Sequence, residues 1–253
     1  MEHALELTRQ AEATHFWFQG FRSFVAPVLH DVAAGRGGLR LIDCGCGTGN
    51  NLALLRPYGT VFGFDLTPGG VRQAALTGRP IVRADVTRIP IASNSVDVVT
   101  SFDVLQSVPA DADAVREMAR IVKPGGAVIL TVAAWEALRG DHAISWSEVH
   151  RYTPASLRRI VEAAGLRVER VSFLFASLFP LIAVTRIFQR LTRPLRTVRE
   201  DSDIRVPSAP INTLLTRVVT SEARLARLIP MPIGSSLMVV ARKIIPGSDT
   251  LNV

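Results

Sequence analysis

Residues 41 to 49, Leu-Ile-Asp-Cys-Gly-Cys-Gly-Thr-Gly, decide the fold of this chain. The apolar run over residues 39–42 predicts a buried strand, which ends at the carboxylate of Asp43 and leads into three glycines at alternate positions. A short helix is predicted over residues 51–55. A strand that turns into a helix through glycines brings bare backbone N–H groups and a positive helix end close to a ligand. The stretch therefore predicts a ligand-binding turn.

The spacing of the acid and the glycines narrows the kind of turn. Together they form the pattern D-x-G-x-G-x-G, whereas the dinucleotide-binding fingerprint places its glycines at i, i+2 and i+5. Both cysteines of the chain, Cys44 and Cys46, lie inside the turn, where they cannot connect distant elements or complete a four-ligand zinc site. We therefore expect small reduced residues in a tight loop and no metal.

The rest of the chain predicts one α/β domain. It has 253 residues, of which 48% are hydrophobic, enough for a sizeable core. Residues 1–34 are expected to form an N-terminal helical cap with Thr14 as a helix N-cap, and residues 35–174 the core of the domain. An insertion of about 60 residues, 175–234, precedes a final strand over residues 235–245, where ordinary connections need only a few residues.

Acidic residues end three successive predicted strands. Asp43 ends the first strand, Asp65 the second and Asp85 the third. Ligands of parallel sheets bind beyond the carboxyl ends of the strands, so the three carboxylates are expected on the ligand side. Asp65 lies 20 residues after Gly45, a position that suits bonding to ribose hydroxyls.

The run from Asp85 to Val99, then Asp103-Val-Leu and Arg120-Ile-Val-Lys-Pro-Gly-Gly, resembles the methyltransferase-11 group of class I S-adenosylmethionine-dependent methyltransferases. The resemblance spans about residues 38–135. It implies a Rossmann-like seven-stranded sheet of order 3-2-1-4-5-7-6, with strand 7 antiparallel, helices on both faces and a helical insertion between strands 6 and 7.

A weaker similarity, to a bacterial subgroup whose substrates are mostly undefined, extends to residues 15–18, 151–153 and 178–180. Residues 15–18, His-Phe-Trp-Phe, could pack the N-terminal helix on the sheet or close over the ligand edge. The first of these two roles is the expected one, because aromatic side chains on a helix usually face the core.

The same resemblance implies S-adenosylmethionine as cofactor and assigns residues to its parts. Asp43 and the glycine backbone would hold the methionine moiety, Asp65 the ribose and Asp85 the adenine amine, while Ser101 and Phe102 would line the sulfonium side. The implied cofactor residues are therefore Asp43, Gly45, Cys46, Gly47, Gly49, Asp65, Leu66, Asp85, Val86, Ser101 and Phe102. Relatives often carry Glu-His where this chain has Gln106-Ser107, so no catalytic role is carried onto those two positions.

The insertion points to the acceptor of the methyl group. It begins where strand 6 emerges on the ligand edge, with an apolar segment and then arginines at helical spacing. A second amphipathic helix is predicted over residues 210–228. The two helices could pack on the core, form a lid with an apolar inner surface, or touch anionic lipid through residues 173–199. A lid or a lipid contact would favour a lipophilic or amphiphilic acceptor.

The sequence predicts catalytic residues less specifically than cofactor residues. An oxygen acceptor needs a base, whereas a neutral amine does not. The candidate bases are His150, His142 and Asp103, and Arg151 and Tyr152 could orient an acceptor. Each of these residues could instead have a polar capping role.

Three other functions remain open. The net charge of +7 favours an RNA methyltransferase, although no run of five basic residues and no separate RNA-binding module occurs. The second is a non-catalytic protein that binds S-adenosylmethionine, and the third is a nucleotide-binding oxidoreductase. The absence of a signal-peptide pattern and of 18 uninterrupted apolar residues predicts a cytoplasmic protein, with contact to the inner membrane face as an option.

Overall fold

The computed structural model describes residues 2–141, 143, 146–192 and 205–245. A seven-stranded sheet forms its centre, with the strand order β3-β2-β1-β4-β5-β7-β6. All neighbouring strands run parallel except β7, which is antiparallel to both β5 and β6. The predicted fold class is therefore confirmed. The strands are β1 Leu39–Cys44, β2 Gly59–Asp65, β3 Ile81–Arg83, β4 Val96–Phe102, β5 Val122–Ala133, β6 Leu166–Leu174 and β7 Ser236–Lys243.

Helices cover both faces of this sheet. Successive residues of β1 point to opposite faces, and both Leu41 and Ile42 are buried, which is typical of a parallel sheet with helices on each side. The helices are α1 Glu2–Ala11, α2 Phe16–Ala33, α3 Leu52–Leu55, α4 Pro68–Ala75, α5 Asp111–Ile121, α6 Pro154–Ala163, α7 Phe179–Thr192 and α8 Ala209–Leu225. Leu41 joins the cluster under α2 and α8, whereas Ile42 joins the cluster under α5 and α6.

The N-terminal region contains two helices with a break between them. The predicted cap, Thr14, is not the N-cap of α2; His15 is, and its Nδ1 accepts a hydrogen bond from the backbone N–H of Trp17. The imidazole takes the role that a Ser, Thr, Asn or Asp side chain usually fills at this position. The break lets α1 leave the direction of α2 and contact α4.

The helices of the insertion are placed differently from each other. Leu174, the last residue of β6, pairs directly with Ser236, the first residue of β7, so the insertion leaves and rejoins the sheet at one point. α8 packs along α2, with Val219 fully buried, which agrees with packing on the core. α7 keeps much of its apolar surface exposed. Within the described ranges, every helix is too short or too polar to cross a bilayer.

Candidate functional site

The three carboxylates lie on adjacent strands at one edge of the sheet. Asp43 is the next-to-last residue of β1, Asp65 is the last residue of β2, and Asp85 follows β3 by two positions. Because β1, β2 and β3 are parallel neighbours, their carboxyl ends open on the same side. The structure thus brings together the acids that the sequence places at strand ends, and it gives each a different environment.

Asp43 is the most enclosed of the three carboxylates. It is 1% exposed, and its Oδ1 accepts a hydrogen bond of 2.7 Å from the hydroxyl of Thr100 on β4. Burial raises the pKa of Asp43 to about 7, the Thr100 hydrogen bond opposes the rise, and the negative charge of Asp65 adds to it. A cation bound nearby would favour the ionised form of this carboxyl group.

Asp65 is held in place by three hydrogen bonds. Its Oδ2 accepts from the N–H of Gly47 at 2.8 Å, and its Oδ1 accepts from the N–H and the hydroxyl of Thr67 at 2.8 and 2.6 Å. A carboxylate offers about four acceptor positions, so roughly one remains, on Oδ2. Binding to both ribose hydroxyls, as the sequence predicts, would require one of these internal bonds to be released.

Asp85 repeats this arrangement on the neighbouring strand but is exposed. Its Oδ1 accepts from the N–H and the hydroxyl of Thr87, both at 2.8 Å, so the same D-x-T turn follows β2 and β3. The residues after the two acids differ: Leu66 is 56% exposed, whereas Val86 is buried. An exposed leucine between two acidic strand ends offers an apolar surface for a planar ring.

The glycine loop differs in one respect from the expectation. Its N–H groups are not bare: those of Gly45 and Cys46 donate to the carbonyl of Phe64, that of Gly47 donates to Asp65, and that of Gly49 donates to Cys46. The following helix, α3, is a single turn of four residues, so it contributes little positive potential. The glycines instead provide backbone shape: all three have positive φ, and a Cβ on Gly49 would lie 2.8 Å from the Cα of Ala74.

The cysteines of the loop are enclosed by the protein. Cys44 and Cys46 are free and buried, and burial raises the pKa of both thiols. The Sγ of Cys46 lies close to Gly63 on β2, where a Cβ would come within 2.8 Å of it. Cys46 therefore lies between the loop and the strand that carries Asp65.

A contact that the sequence does not indicate covers this loop from the N-terminal side. Both carboxylate oxygens of Glu12, the residue after α1, accept from the hydroxyl of Thr48, at 2.7 and 2.8 Å. Leu5 on α1 contacts the position of Gly47, where an added Cβ would lie 3.6 Å from its Cδ2. The N-terminal segment thus closes over the candidate cofactor loop through α1 and the residue that follows it.

The end of β4 supplies a further carboxylate. Ser101 is fully buried and donates to the carbonyl of Cys44, and Phe102 lies edge-on against Phe21 of α2. Asp103 follows with a left-handed φ of 56°, fixed by its N–H, which donates to the backbone oxygen of Thr131 at 2.9 Å. Solvent reaches Asp103, yet surrounding protein desolvates its carboxyl group and raises the pKa to about 6.

His150 belongs to a separate polar cluster at the start of α5. Its Nε2 lies 2.5 Å from the hydroxyl of Tyr152 and 3.0 Å from Oδ2 of Asp111, and that hydroxyl lies 2.8 Å from the same carboxylate. Burial, together with Asp111, raises the pKa of the almost fully buried Tyr152. These bonds favour a positioning role for His150 and Tyr152. His142 lies outside the described residues.

The side chain of Arg151 is likewise engaged within the chain, by Glu148. Its side chain and that of Glu148 are about 5% exposed, and Nε of Arg151 lies 2.9 Å from Oε2 of Glu148. The charge of Glu148 raises the pKa of Asp103 and that of Arg151 lowers it, so the pair lies close to the candidate base. An orienting role for Arg151 toward an acceptor stays a prediction.

Comparison with known proteins identifies the kind of domain that contains the glycine loop. Residues 42–130, from β1 to β5, match the methyltransferase-11 family, described as a methyltransferase domain. Residues 42–130 of the chain therefore belong to a methyltransferase domain. An uncharacterised methyltransferase of Mycobacterium bovis is 35% identical over 115 residues, which cover 44% of this chain and 45% of that protein.

Relatives of the methyltransferase domain act on different acceptors. A demethylmenaquinone methyltransferase of Staphylococcus aureus is 36% identical over 111 residues, covering 40% of this chain and 46% of that protein. A tRNA (carboxymethyluridine(34)-5-O)-methyltransferase of Arabidopsis thaliana is 29% identical over 160 residues, covering 61% of this chain and 37% of that protein. The chain thus spans less than half the length of these curated relatives.

A solved structure extends the likeness in fold to almost the whole chain. Phosphoethanolamine N-methyltransferase 2 of Haemonchus contortus, in complex with S-adenosyl-L-methionine, superposes with a TM-score of 0.63 and 16% sequence identity. The match covers 97% of this chain and 58% of that one. At this identity the comparison establishes the shared fold of the methyltransferase domain.

Proposed function

We propose that this chain transfers a methyl group from S-adenosylmethionine to a small lipophilic or amphiphilic acceptor. The observation that carries the proposal is the ring of carboxylates, Asp43, Asp65 and Asp85, around a glycine loop at the carboxyl ends of β1, β2 and β3. The cofactor carries an ammonium and a sulfonium, and carboxylates are the side chains that suit such cations.

The described residues fit the separate parts of this cofactor. The buried carboxyl group of Asp43 either binds a proton or needs a nearby cation to stabilise its ionised form. The methionine end of the cofactor would supply such a cation. Asp65 has about one acceptor position left for a ribose hydroxyl. The exposed Leu66 and the exposed carboxylate of Asp85 suit the face and the amine of adenine.

Several aromatic side chains near the carboxyl ends of β4, β5 and β6 support a lipophilic acceptor. Phe102 ends β4 and contacts Phe21, and the ring of Trp17 stacks on that of Phe175 with centroids 3.8 Å apart. Trp135, just beyond β5, stacks on Phe173 near the end of β6. Of these residues, Trp17, Trp135 and Phe173 are half-buried and can offer apolar surface, whereas Phe21, Phe102 and Phe175 are buried. Phe102, Trp135 and Phe173 lie at or next to the carboxyl ends of β4, β5 and β6, where ligands of such sheets bind.

Methyl transfer from a sulfonium is an in-line displacement, in which the positive charge on sulfur is lost as the acceptor atom attacks. An apolar surrounding does not oppose such a step, and the domain contributes chiefly by aligning the acceptor with the methyl group. For an oxygen acceptor, we assign the base to Asp103, because it is an exposed residue directly after β4 and desolvation raises the pKa of its carboxyl group to about 6. His150 is the weaker candidate, since its Nε2 is engaged by Tyr152 and Asp111.

The acceptor class is tested by incubating the protein with isotope-labelled S-adenosylmethionine and a cell lysate, which is then separated into lipid, RNA, protein and small-molecule fractions. We expect label in the lipid or small-molecule fraction. Label found only in RNA would overturn the proposed acceptor and favour an RNA methyltransferase, to which the net charge of +7 and the tRNA-modifying relative point. Tight cofactor binding without label in any fraction would indicate a non-catalytic binding protein.

The cofactor site is tested separately with Asp65→Ala. This substitution removes an acceptor for a ribose hydroxyl and frees Gly47, so we expect binding of S-adenosylhomocysteine to weaken at least about tenfold. Asp113→Ala is the matched control, because Asp113 is an aspartate on α5 that pairs only with Arg116 among the described contacts. Unchanged calorimetric affinity in Asp65→Ala would remove Asp65 from the site.

A further inference from the structure

The outer surfaces of the two insertion helices carry apolar side chains at helical spacing. On α7, Leu181, Val184, Phe188 and Leu191 recur at intervals of three or four residues and are 60–74% exposed. On α8, the exposed apolar residues are Ile211, Leu214, Val218 and Leu225. Residues three or four positions apart share one face of a helix, so each helix presents a continuous apolar stripe outward.

The same surfaces lack negative charge. The sequence of α7 contains no acidic residue, and the sequence of α8 contains only Glu222. Glu222 is 7% exposed and turned inward, where it accepts hydrogen bonds from the N–H groups of Ala176 and Ser177. Arg217 and Arg224, by contrast, are exposed beside the stripe of α8. We call these exposed apolar residues of α7 and α8, with Arg217 and Arg224, the apolar–basic face.

Glu222 joins α8 to the segment that precedes α7. By helical spacing it neighbours Val218 and Leu225 of the stripe as well as the buried Val219 and Ala226, so it lies at the border between the stripe and the inward side of α8. Its carboxylate is bound to residues 176 and 177, directly before α7 begins at Phe179. The stripe of α8 therefore borders the start of α7.

The first turn of α8 is linked to the cofactor loop through the residues that join α1 to α2. Asn212, in the first turn of α8, accepts from the N–H of Phe16 at 2.9 Å and donates to the carbonyl of Thr14 at 2.7 Å. Two residues before Thr14, Glu12 is bonded to Thr48 of the glycine loop. The first turn of α8 thus contacts the segment between α1 and α2, which itself contacts the glycine loop.

We propose that the apolar–basic face docks on the surface of an anionic lipid bilayer. Amphipathic helices with apolar side chains on one side and arginines beside them lie in the interface of such membranes, and exposed arginines are attracted to anionic headgroups. A symmetric contact with a second copy would place the arginines of both copies in one interface, with no acid on the apolar–basic face to compensate. The proposal goes beyond the proposed methyl transfer, because docking requires no cofactor.

The experiment is co-sedimentation of the purified chain, without methyl donor, with vesicles of phosphatidylglycerol and phosphatidylcholine and with vesicles of phosphatidylcholine alone. We expect binding to the anionic vesicles, weakened by salt and by Arg217→Ala and Arg224→Ala, roughly fivefold each. Leu214→Glu should reduce the partition coefficient by about tenfold or more. Phe188→Glu tests the other helix independently, in case one variant fails to fold.

Leu76→Glu is the matched control, because Leu76 is 83% exposed at the end of α4, outside the face. Binding that Leu76→Glu retains and both Leu214→Glu and Phe188→Glu lose supports the proposal. Absence of binding by the parent chain, or equal loss in all three variants, would overturn it. So would a dimer in sedimentation velocity that Phe188→Glu disperses, because a second copy would then cover the face. Failure of methyl transfer leaves each of these outcomes unchanged.

Discussion

Three aspartates near the carboxyl ends of neighbouring strands carry different amounts of internal bonding and burial, and these differences set their chemistry. Asp43 has one hydrogen bond and is buried, Asp65 has three, and Asp85 is exposed. Sequence spacing predicts where such carboxylates lie, because parallel strands end at a common edge. It does not predict their protonation, which depends on burial by residues distant in the chain, such as Thr100.

Cofactor binding should depend on pH through Asp43. Since its pKa in the free protein is about 7, a cationic ligand must displace a proton below that pH, and affinity should fall by up to about tenfold per unit below it. Calorimetry of S-adenosylmethionine binding between pH 5.5 and 8, in buffers of different ionisation enthalpy, measures both the slope and the released proton. Asp43→Asn should flatten the slope. Asp103→Asn is the matched control, and a slope lost only in that variant would assign the effect to Asp103.

The same raised pKa predicts the direction of a stability change. A carboxyl group whose pKa is higher in the folded protein stabilises the fold fully at low pH, below its ordinary value of 3.8, and loses this contribution as the pH rises through about 7. Asp43→Asn should therefore raise the free energy of unfolding of the cofactor-free protein at pH 8 and change it less at pH 5. Urea titrations at the two pH values provide the measurement, and a larger effect at pH 5 would contradict the assigned pKa.

At the scale of elements, the break between α1 and α2 matters more for the site than either helix alone. The sequence predicts helical structure over residues 1–34 and a helix that begins after Thr14, one residue before the observed N-cap His15. The chain turns at residues 12–15, where Glu12 binds Thr48 and His15 begins α2. The contact between Glu12 and Thr48 has no local sequence signal, so α1 could not be placed over the glycine loop in advance.

Weakening the contact between Glu12 and Thr48 should let α1 move away from the glycine loop. Thr48→Val keeps the side-chain volume but removes the hydroxyl that donates to Glu12, and we expect about three- to tenfold weaker binding of S-adenosylhomocysteine. Hydrogen exchange of α1 and of residues 45–49 should increase together. Thr216→Val, which removes a hydroxyl bonded only within α8 among the described contacts, is the matched control. Unchanged protection of α1 in Thr48→Val would mean that the Glu12–Thr48 contact does not hold it.

For the molecule as a whole, the sheet was predictable and the use of the insertion was not. The order of the strands follows from the resemblance of residues 38–135, and the structure confirms it. The amphipathic patterns of α7 and α8 are similar, yet one helix is packed on α2 and the other is largely exposed. Amphipathicity identifies an apolar face but not its partner, which here depends on the small size of Gly20.

The contact at Gly20 offers a test of whether α8 belongs to the cooperative core. A Cβ on Gly20 would lie 2.2 Å from Cγ1 of Val219, so Gly20→Ala should lower the free energy of unfolding by about 1–3 kcal/mol through overpacking, less the gain in helix propensity. Val219→Ala alone should also destabilise, by leaving a cavity, but the double variant should lose less than the sum of the two. Urea unfolding followed by circular dichroism and by the fluorescence of the three tryptophans, of which Trp17 stacks on Phe175, should give one coincident transition. An earlier fluorescence transition, shifted by Gly20→Ala while the dichroism transition stays fixed, would instead make α8 a separately opening lid.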